Sequence, residues 1–312
     1  MTKIQQAAFC VLLLGAPQIH AQTLDALLSP EPVSSTAESQ EAAARNMREL
    51  IERFQQARTV TEKLMLLQQM RDLQDELRDT ATLLALRAEM QKTIESGEDV
   101  LKPDAIRVLM GTGAADENVP FLVAAWGKKQ LAEPLFYRSL AALYPRASKP
   151  WRMEIMKLLL QGDMMPSRIK LVEVWGKPST LQKMDAEELQ AVRGFLGKWQ
   201  GVVLRLQPGL GSLVVRNLQL WLSAMANLMQ AENGTARADA MLSIVLDPQT
   251  DPRLLVAWIL SPDFKSQAYG SQISQATWKK CYERLLALQA SAPDYEFIRA
   301  AWLVLEQTGP MR

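Results

Sequence analysis

Apolar residues recur three and four positions apart in three consecutive runs between residues 38 and 97, the spacing of one face of an α-helix. The runs contain these apolar positions: Met47, Leu50, Ile51, Phe54; Leu66, Met70, Leu73, Leu77; Leu83, Leu86, Met90, Ile94. Thr59 with Glu62 has the spacing of a capping box ahead of the second run, and Gly97 ends the third. The pattern predicts a helical hairpin region of two or three antiparallel helices over residues 38–97.

Prolines divide the chain after residue 100 into segments of helical length. They stand at Pro103, Pro120, Pro134, Pro150, Pro166 and Pro178. Proline fits the first turn of a helix, where its missing N–H costs nothing, and disrupts the interior. The segments between them carry apolar residues at helical spacing, which predicts stacked short helices over residues 98–312.

Further helix starts are predicted where an oxygen acceptor or a negative charge precedes an apolar run. These are Asp185 with Glu188, Asp251 before a proline, and Ser291. No stretch alternates apolar and polar residues for long, and residues 202–206 are the one place that tolerates a strand.

The predicted fold class is all-α, with short antiparallel helices and no substantial sheet. Residues 122–128 (LVAAWGK) resemble residues 171–177 (LVEVWGK), 49 positions later. Tryptophans at 126, 151, 175, 199 and 221 lie 22 to 25 residues apart, about one helix plus a connection. Two architectures stay open, a repeat-like α-solenoid and an irregular helical bundle.

The first residues have the pattern of a secretory signal peptide. Lys3 precedes an apolar run over residues 7–16, and Ala21 offers a small residue for cleavage. We therefore divide the chain into a signal peptide at 1–21, a flexible polar tether at 22–37 and an all-helical domain at 38–312. The apolar run is about half of what a bilayer-spanning helix needs, so we expect no transmembrane segment after cleavage. The expected location is the periplasm or the exterior of the cell.

Cleavage after Ala21 would change the chemistry that the chain can perform. His20 is the only histidine and Cys10 one of two cysteines, so the remaining 291 of 312 residues would hold no imidazole and one thiol, Cys281. Without histidine there is no Ser-His-Asp or Cys-His nucleophile, and the commonest zinc and copper ligand is missing. A single cysteine forms no internal disulfide. We predict no catalytic, cofactor-binding or metal-binding residues.

Charge argues against nucleic acid as a partner. Loss of Lys3 would reduce 35 basic side chains to 34, against 34 acidic ones, for a formal net charge of zero. Binding to phosphate backbones relies on a basic surface that releases counterions.

Several motifs have a catalytic and a structural interpretation. Ser167 and Lys170 have the spacing of a lysine-activated serine, but the accompanying Lys-Thr-Gly and Ser-x-Asn elements are missing, so Ser167 is interpreted as a helix-start residue. Residues 208–212 (PGLGS) lack the third glycine of a dinucleotide loop and the phosphate-binding lysine. We interpret them as a tight connection capped by Ser212.

Carboxylates, methionines and the remaining cysteine have similar alternatives. Glu154 and Glu173 lie in apolar runs and could support glycoside cleavage, but Lys157 and Lys177 follow them at ion-pair spacing. A methionine group could bind copper(I) through its thioethers but also suits a core. That group is Met153, Met156, Met164 and Met165. Cys281 is interpreted as a buried apolar residue and the tryptophans as anchors of helix packing.

The leading functional hypothesis is an exported, non-catalytic helical scaffold that binds a protein or peptide in the cell envelope. One alternative is a carboxylate-based glycan hydrolase, which requires two acidic residues facing one cleft. The other is a carrier of an apolar ligand, which requires an enclosed pocket lined by methionine and tryptophan.

Overall fold

The computed structural model describes residues 37–113, 115–162, 165–205, 211–269, 273–292 and 295–309. This part of the chain contains sixteen α-helices, one short 3-10 helix and no β-strand. The predicted all-α fold class is therefore confirmed. The predicted signal peptide at 1–21 lies outside the described residues, as does the predicted tether except for Ala37, the first residue of the first helix.

The helices vary in length from 4 to 23 residues. None in the described ranges has the length and apolar character needed to cross a membrane. They are α1 (Ala37–Gln56), α2 (Val60–Gln74), α3 (Thr80–Ser96), α4 (Lys102–Gly111), α5 (Ala115–Gly127), α6 (Glu133–Leu143), the 3-10 helix (Tyr144–Arg146), α7 (Lys149–Gln161), α8 (Met165–Trp175), α9 (Pro178–Leu181), α10 (Ala186–Val203), α11 (Gly211–Asn233), α12 (Arg237–Leu246), α13 (Arg253–Ile259), α14 (Pro262–Tyr269), α15 (Gln275–Ser291) and α16 (Phe297–Thr308).

The first three helices follow their apolar runs closely. The Thr59 hydroxyl accepts a hydrogen bond from the N–H of Glu62 at 3.2 Å, and α3 ends at Gly97 as predicted. One detail is different: α2 ends at Gln74, so Leu77 follows the helix, although it is still buried. The chain turns here because Gln74 is buried against α4, where its Nε2 donates to the carbonyl of Val108 at 2.6 Å.

The prolines begin helices at five of the six predicted positions. The residues found in first turns are Pro103, Pro134, Pro150, Pro166 and Pro178. Pro120 is the exception, because α5 begins five residues earlier and includes it. Pro120 has no N–H to offer the carbonyl of Asp116, which would otherwise be its intrahelical partner. The helix persists because Val119 and Leu122 on either side are fully buried.

Two of the three other predicted helix starts are confirmed. Asp185 and Glu188 form a complete capping box at the start of α10. The carboxylate of Asp251 accepts the N–H of Arg253, the first residue of α13, at 2.9 Å.

Ser291 does not begin a helix. It is the last residue of α15, where its hydroxyl donates to the carbonyl of Leu288 at 3.1 Å, and α16 begins at Phe297. Val202, in the segment where a strand was tolerated, is helical, since α10 continues to Val203.

Helices pack on neighbours that are close in the chain. A continuous row is formed by α2, α4, α6, α8, α11, α13 and α16, each in contact with the next, and the other helices flank this row. Every extensive contact in the described part of the chain joins helices no more than three apart in order. The core follows this row, and residues 254–259 of α13 are all buried. Packing between neighbours in the chain is compatible with both an α-solenoid and an irregular helical bundle, so both predicted architectures stay open.

Polar links between neighbouring units have a recurrent spacing. Gln74 bonds to the carbonyl of Val108 and Arg284 to that of Thr250, both across 34 residues. The two similar segments, residues 122–128 and 171–177, lie in different environments. Trp126 is half-buried on the flanking helix α5, whereas Trp175 is fully buried on α8 in the central row.

Candidate functional site

An open groove of about 560 Å³ lies between α7 and α10. Salt bridges join the beginnings of the two helices: Lys149 donates to Asp185 at 2.7 Å, and Arg152 donates to Glu188 at 2.7 Å. Both pairs are 36 residues apart, so α7 and α10 run parallel with aligned N-termini. The hydrogen bond from Lys149 stabilises the ionised carboxylate of Asp185 and so lowers its pKa.

The lining residues come from one face of each helix. Their spacing of three, four and seven positions places them side by side along the groove. They are Pro150, Met153, Glu154, Met156, Lys157, Leu160 and Gln161 from α7, with Ala191, Gly194, Phe195 and Lys198 from α10.

The floor of the groove is apolar and packs on a buried aromatic pair, Tyr144 and Trp175. Met156 and Phe195 are buried, and both rest on the same aromatic pair. The Tyr144 hydroxyl donates to the sulfur of Met156 at 3.8 Å and accepts a hydrogen bond from Nε1 of Trp175 at 3.1 Å. The Trp175 ring meets Phe195 edge-on, with ring centroids 5.0 Å apart. Burial raises the pKa of Tyr144, so its hydroxyl stays protonated and available as a donor.

Charged side chains form the rim. Glu154 pairs with Lys157 at 3.5 Å. Lys198 is exposed and has no ion-pair partner in the described ranges. Among the described lining residues Glu154 is the single carboxylate, so the rim has an excess of positive charge.

Arg168 closes the far end of α7, a role that sequence reasoning missed. Its guanidinium donates to the carbonyls of Leu159 at 2.9 Å, Leu160 at 3.2 Å and Gly162. A cation at a helix C-terminus satisfies carbonyls that have no partner within the helix. The available signal was a basic residue in the first turn of the helix that follows α7.

The carboxylates singled out in the sequence do not share this groove. Glu173 is not among its lining residues and pairs instead with Lys170 at 3.3 Å and Arg216 at 3.5 Å. Glu154 and Glu173 therefore both take part in ion pairs, although the partner of Glu173 is Lys170 rather than the predicted Lys177.

The two serines considered in the sequence, Ser167 and Ser212, both lie in the first turn of a helix. Ser167 is buried in the first turn of α8, and Lys170 pairs with Glu173. Ser212 is the second residue of α11 rather than its cap, because the helix begins at Gly211. Gly211 is buried, and a Cβ there would overlap the Glu296 carboxylate. Residues 208–210 lie outside the described part of the chain.

The methionines are divided between the groove and the core. Met153 and Met156 line the groove, Met165 is partly buried in α8, and Met164 lies outside the described residues. In the described ranges no three His, Cys, Asp or Glu side chains are grouped as metal ligands would be. Cys281 is fully buried, as its interpretation as an apolar residue predicted.

A smaller polar cleft of about 270 Å³ lies between α3 and the helices α1 and α2. It is lined by Glu89 and Glu98 together with Lys63 and Lys92. Glu89 accepts a hydrogen bond from Gln55 at 2.7 Å. This cleft places two carboxylates on one concave surface.

No protein-family model matches this chain, and no curated protein matches it in sequence.

Proposed function

We propose that this chain is an exported, non-catalytic helical scaffold that binds a protein or peptide in the cell envelope, and that the groove between α7 and α10 is its binding surface. The observation that carries the proposal is an open apolar floor between charged rims, on two parallel helices joined by ion pairs at their N-termini. Methionine side chains adapt to varied partner shapes, which suits the partly exposed Met153 to such a surface. The groove is open to solvent rather than enclosed, which favours a polypeptide over an enclosed small ligand.

Site-specific photo-crosslinking tests the binding surface. A photoreactive residue replaces Gln161 at the groove, and a matched one replaces Gln68, an exposed glutamine on α2. In intact cells we expect a discrete protein adduct from position 161 and none from position 68. Substitution Gly194→Leu, which places a side chain in the groove, should abolish that adduct. Equal adducts from both positions, or none from position 161, would refute the proposal.

Export is tested separately. The pattern of residues 1–21 supports it, because a charged start, an apolar run and a small residue at Ala21 form a signal for secretion. Cell fractionation followed by intact-mass measurement should find the product outside the cytoplasm, without its first 21 residues. A cytoplasmic product that retains them would overturn this part of the proposal.

Glycan hydrolysis is the second candidate function. The polar cleft is a better candidate site for it than Glu154 and Glu173, which do not share a cleft. Glu89 and Glu98 both line this cleft, and a carboxylate mechanism requires two acidic residues that face one cleft. The purified protein is incubated with peptidoglycan, and released sugars are measured. Release that disappears in Glu89→Gln and Glu98→Gln would establish the hydrolase and displace the scaffold proposal. We expect no release from the unaltered protein.

A further inference from the structure

We infer that the occupant of the groove is an amphipathic α-helix of a partner protein, with an acidic residue positioned against Lys198. This inference rests on the proposed function and names the chemistry of its partner.

The dimensions of the groove suit a short helix. Its lining on α7 extends from Pro150 to Gln161, about 16 Å at 1.5 Å per residue. That length matches three turns of a partner helix, whose apolar side chains at i, i+3, i+4 and i+7 would face the floor. The lining on α10 extends from Ala191 to Lys198, so a helix lying between α7 and α10 would contact both walls of the groove.

Gly194 leaves one position on the α10 wall of the groove without a side chain. A Cβ built at Gly194 meets no atom within 4 Å, so the packing of this chain does not require glycine there. Glycine in a helix interior is less stable than alanine, so its presence brings the fold no benefit. What it does provide is room for another backbone to approach α10 closely at the groove.

The charge of the rim selects the partner. Lys157 and Lys198 face the groove against the single described carboxylate of Glu154, which is already paired with Lys157. Lys198 is therefore the free cation of the described rim, at the end of the groove nearest Gln161. An acidic residue flanking the apolar face of the partner would pair with Lys198, and a basic residue would be repelled.

Two designed peptides test the charge of the occupant. Both are 18-residue amphipathic helices with leucine and phenylalanine on one face, flanked by glutamates in one and by lysines in the other. Binding to the protein, purified after natural processing, is measured by fluorescence anisotropy. We expect the acidic peptide to bind about tenfold more tightly than the basic one. Lys198→Glu should weaken the acidic peptide about fivefold. Lys280→Glu, the same charge change at an exposed site on α15, should leave it unchanged.

A second pair of variants separates loss of binding from loss of folding. Gly194→Leu and Gly197→Leu both replace a helical glycine whose Cβ would meet nothing within 4 Å. Both should raise the thermal unfolding midpoint, because leucine favours a helix more than glycine does. Only Gly194 lines the groove, so only Gly194→Leu should weaken the acidic peptide, by about tenfold or more.

The possible results are distinct for the two proposals. Equal affinity for the acidic and basic peptides, or an unchanged affinity in Lys198→Glu, would overturn the inference of an acidic helix. The binding surface itself would still stand if the adduct at position 161 were lost in Gly194→Leu. If neither the adduct nor the peptide affinity depended on Gly194, both proposals would fail.

Discussion

Arg237 is the side chain with the most polar contacts outside the groove. Its guanidinium pairs with both carboxylate oxygens of Asp263, at 2.7 and 3.0 Å, and donates to Ser223 at 2.8 Å and to Asn227 at 3.1 Å. Asn227 in turn donates to the carbonyl of Trp175 at 3.0 Å. This cluster joins α12 to α11, α14 and the end of α8. Because the fork of arginine satisfies all these acceptors at once, lysine would not replace it.

Replacing Arg237 should destabilise the protein strongly for a single surface-accessible residue. Arg237→Met keeps much of the apolar stem and leaves Asp263 and Asn227 without their partner, so we expect a loss of about 2 kcal/mol in the free energy of unfolding. Arg216→Met removes an exposed ion pair with Glu173 and should cost about 0.5 kcal/mol or less. Urea denaturation measures both. Equal losses would contradict the role of the Arg237 cluster.

Cys281 illustrates how burial suppresses reactivity. Its side chain is fully buried on α15, and burial raises the pKa of the thiol to about 12. The thiolate is the reactive form, so both its access to reagent and its population are reduced.

We therefore expect iodoacetamide at pH 8 to label Cys281 at least about a hundredfold more slowly in the folded protein than in denaturant. Peptide mapping by mass spectrometry assigns the label to this residue. Labelling of the folded protein at the rate of a free thiol would show that the thiol is accessible and contradict its buried position.

At the scale of the element, close contacts determine where helices end. Gly162 follows α7, and a Cβ there would overlap the ring of Tyr137 on α6. The φ of Gly162 is −75°, so the requirement is space rather than an unusual backbone conformation. The same end of α7 is bound by Arg168 through three carbonyls. The groove therefore ends where residues of α6 and α8 both contact the end of α7.

Pro120 offers a test of what a helix interior tolerates. Pro120→Ala restores an N–H to the Asp116 carbonyl, so we expect the free energy of unfolding to rise by about 1 kcal/mol. Pro134→Ala, at the first turn of α6, restores no intrahelical bond and should give no gain. Thermal or urea denaturation compares the two. A gain in Pro134→Ala equal to that in Pro120→Ala would indicate that the benefit does not come from the helix interior.

At the scale of the whole molecule, the packing is a series of local contacts. In the central row each helix contacts the next, and the extensive contacts in the described ranges join helices at most three apart in chain order. Because these contacts are local, we expect stability to be distributed along the chain, so that one end can open while the other stays folded.

Hydrogen–deuterium exchange measures this distribution. In Arg237→Met we expect faster exchange in α11, α12 and α14, whose contacts the arginine maintains, and little change in α1 to α3. A uniform increase along the chain would show that the molecule unfolds as one cooperative unit.

The groove was beyond the reach of the sequence pattern. The spacing of Met153 and Met156 predicted a shared helix face, and Met156 is indeed buried. Nothing local showed that Ala191 and Phe195 would form the opposite wall, some 40 residues later. Local spacing also did not show that Glu154 and Glu173 lie apart. Glu154 lines the groove, whereas Glu173 pairs with Arg216 on α11.

By itself the sequence determined that the chain is helical and where half of the described helices begin. Thr59, Asp185 and the five first-turn prolines act within three or four residues, and such short-range hydrogen bonds are legible in a linear pattern. Only the tertiary structure decided which helices stand side by side, that α5 keeps Pro120 and that α2 stops before Leu77. Those outcomes depend on burial against other helices: Gln74 of α2 contacts α4 across 34 residues, and α5 packs against α6. There the gain from packing outweighs local preference.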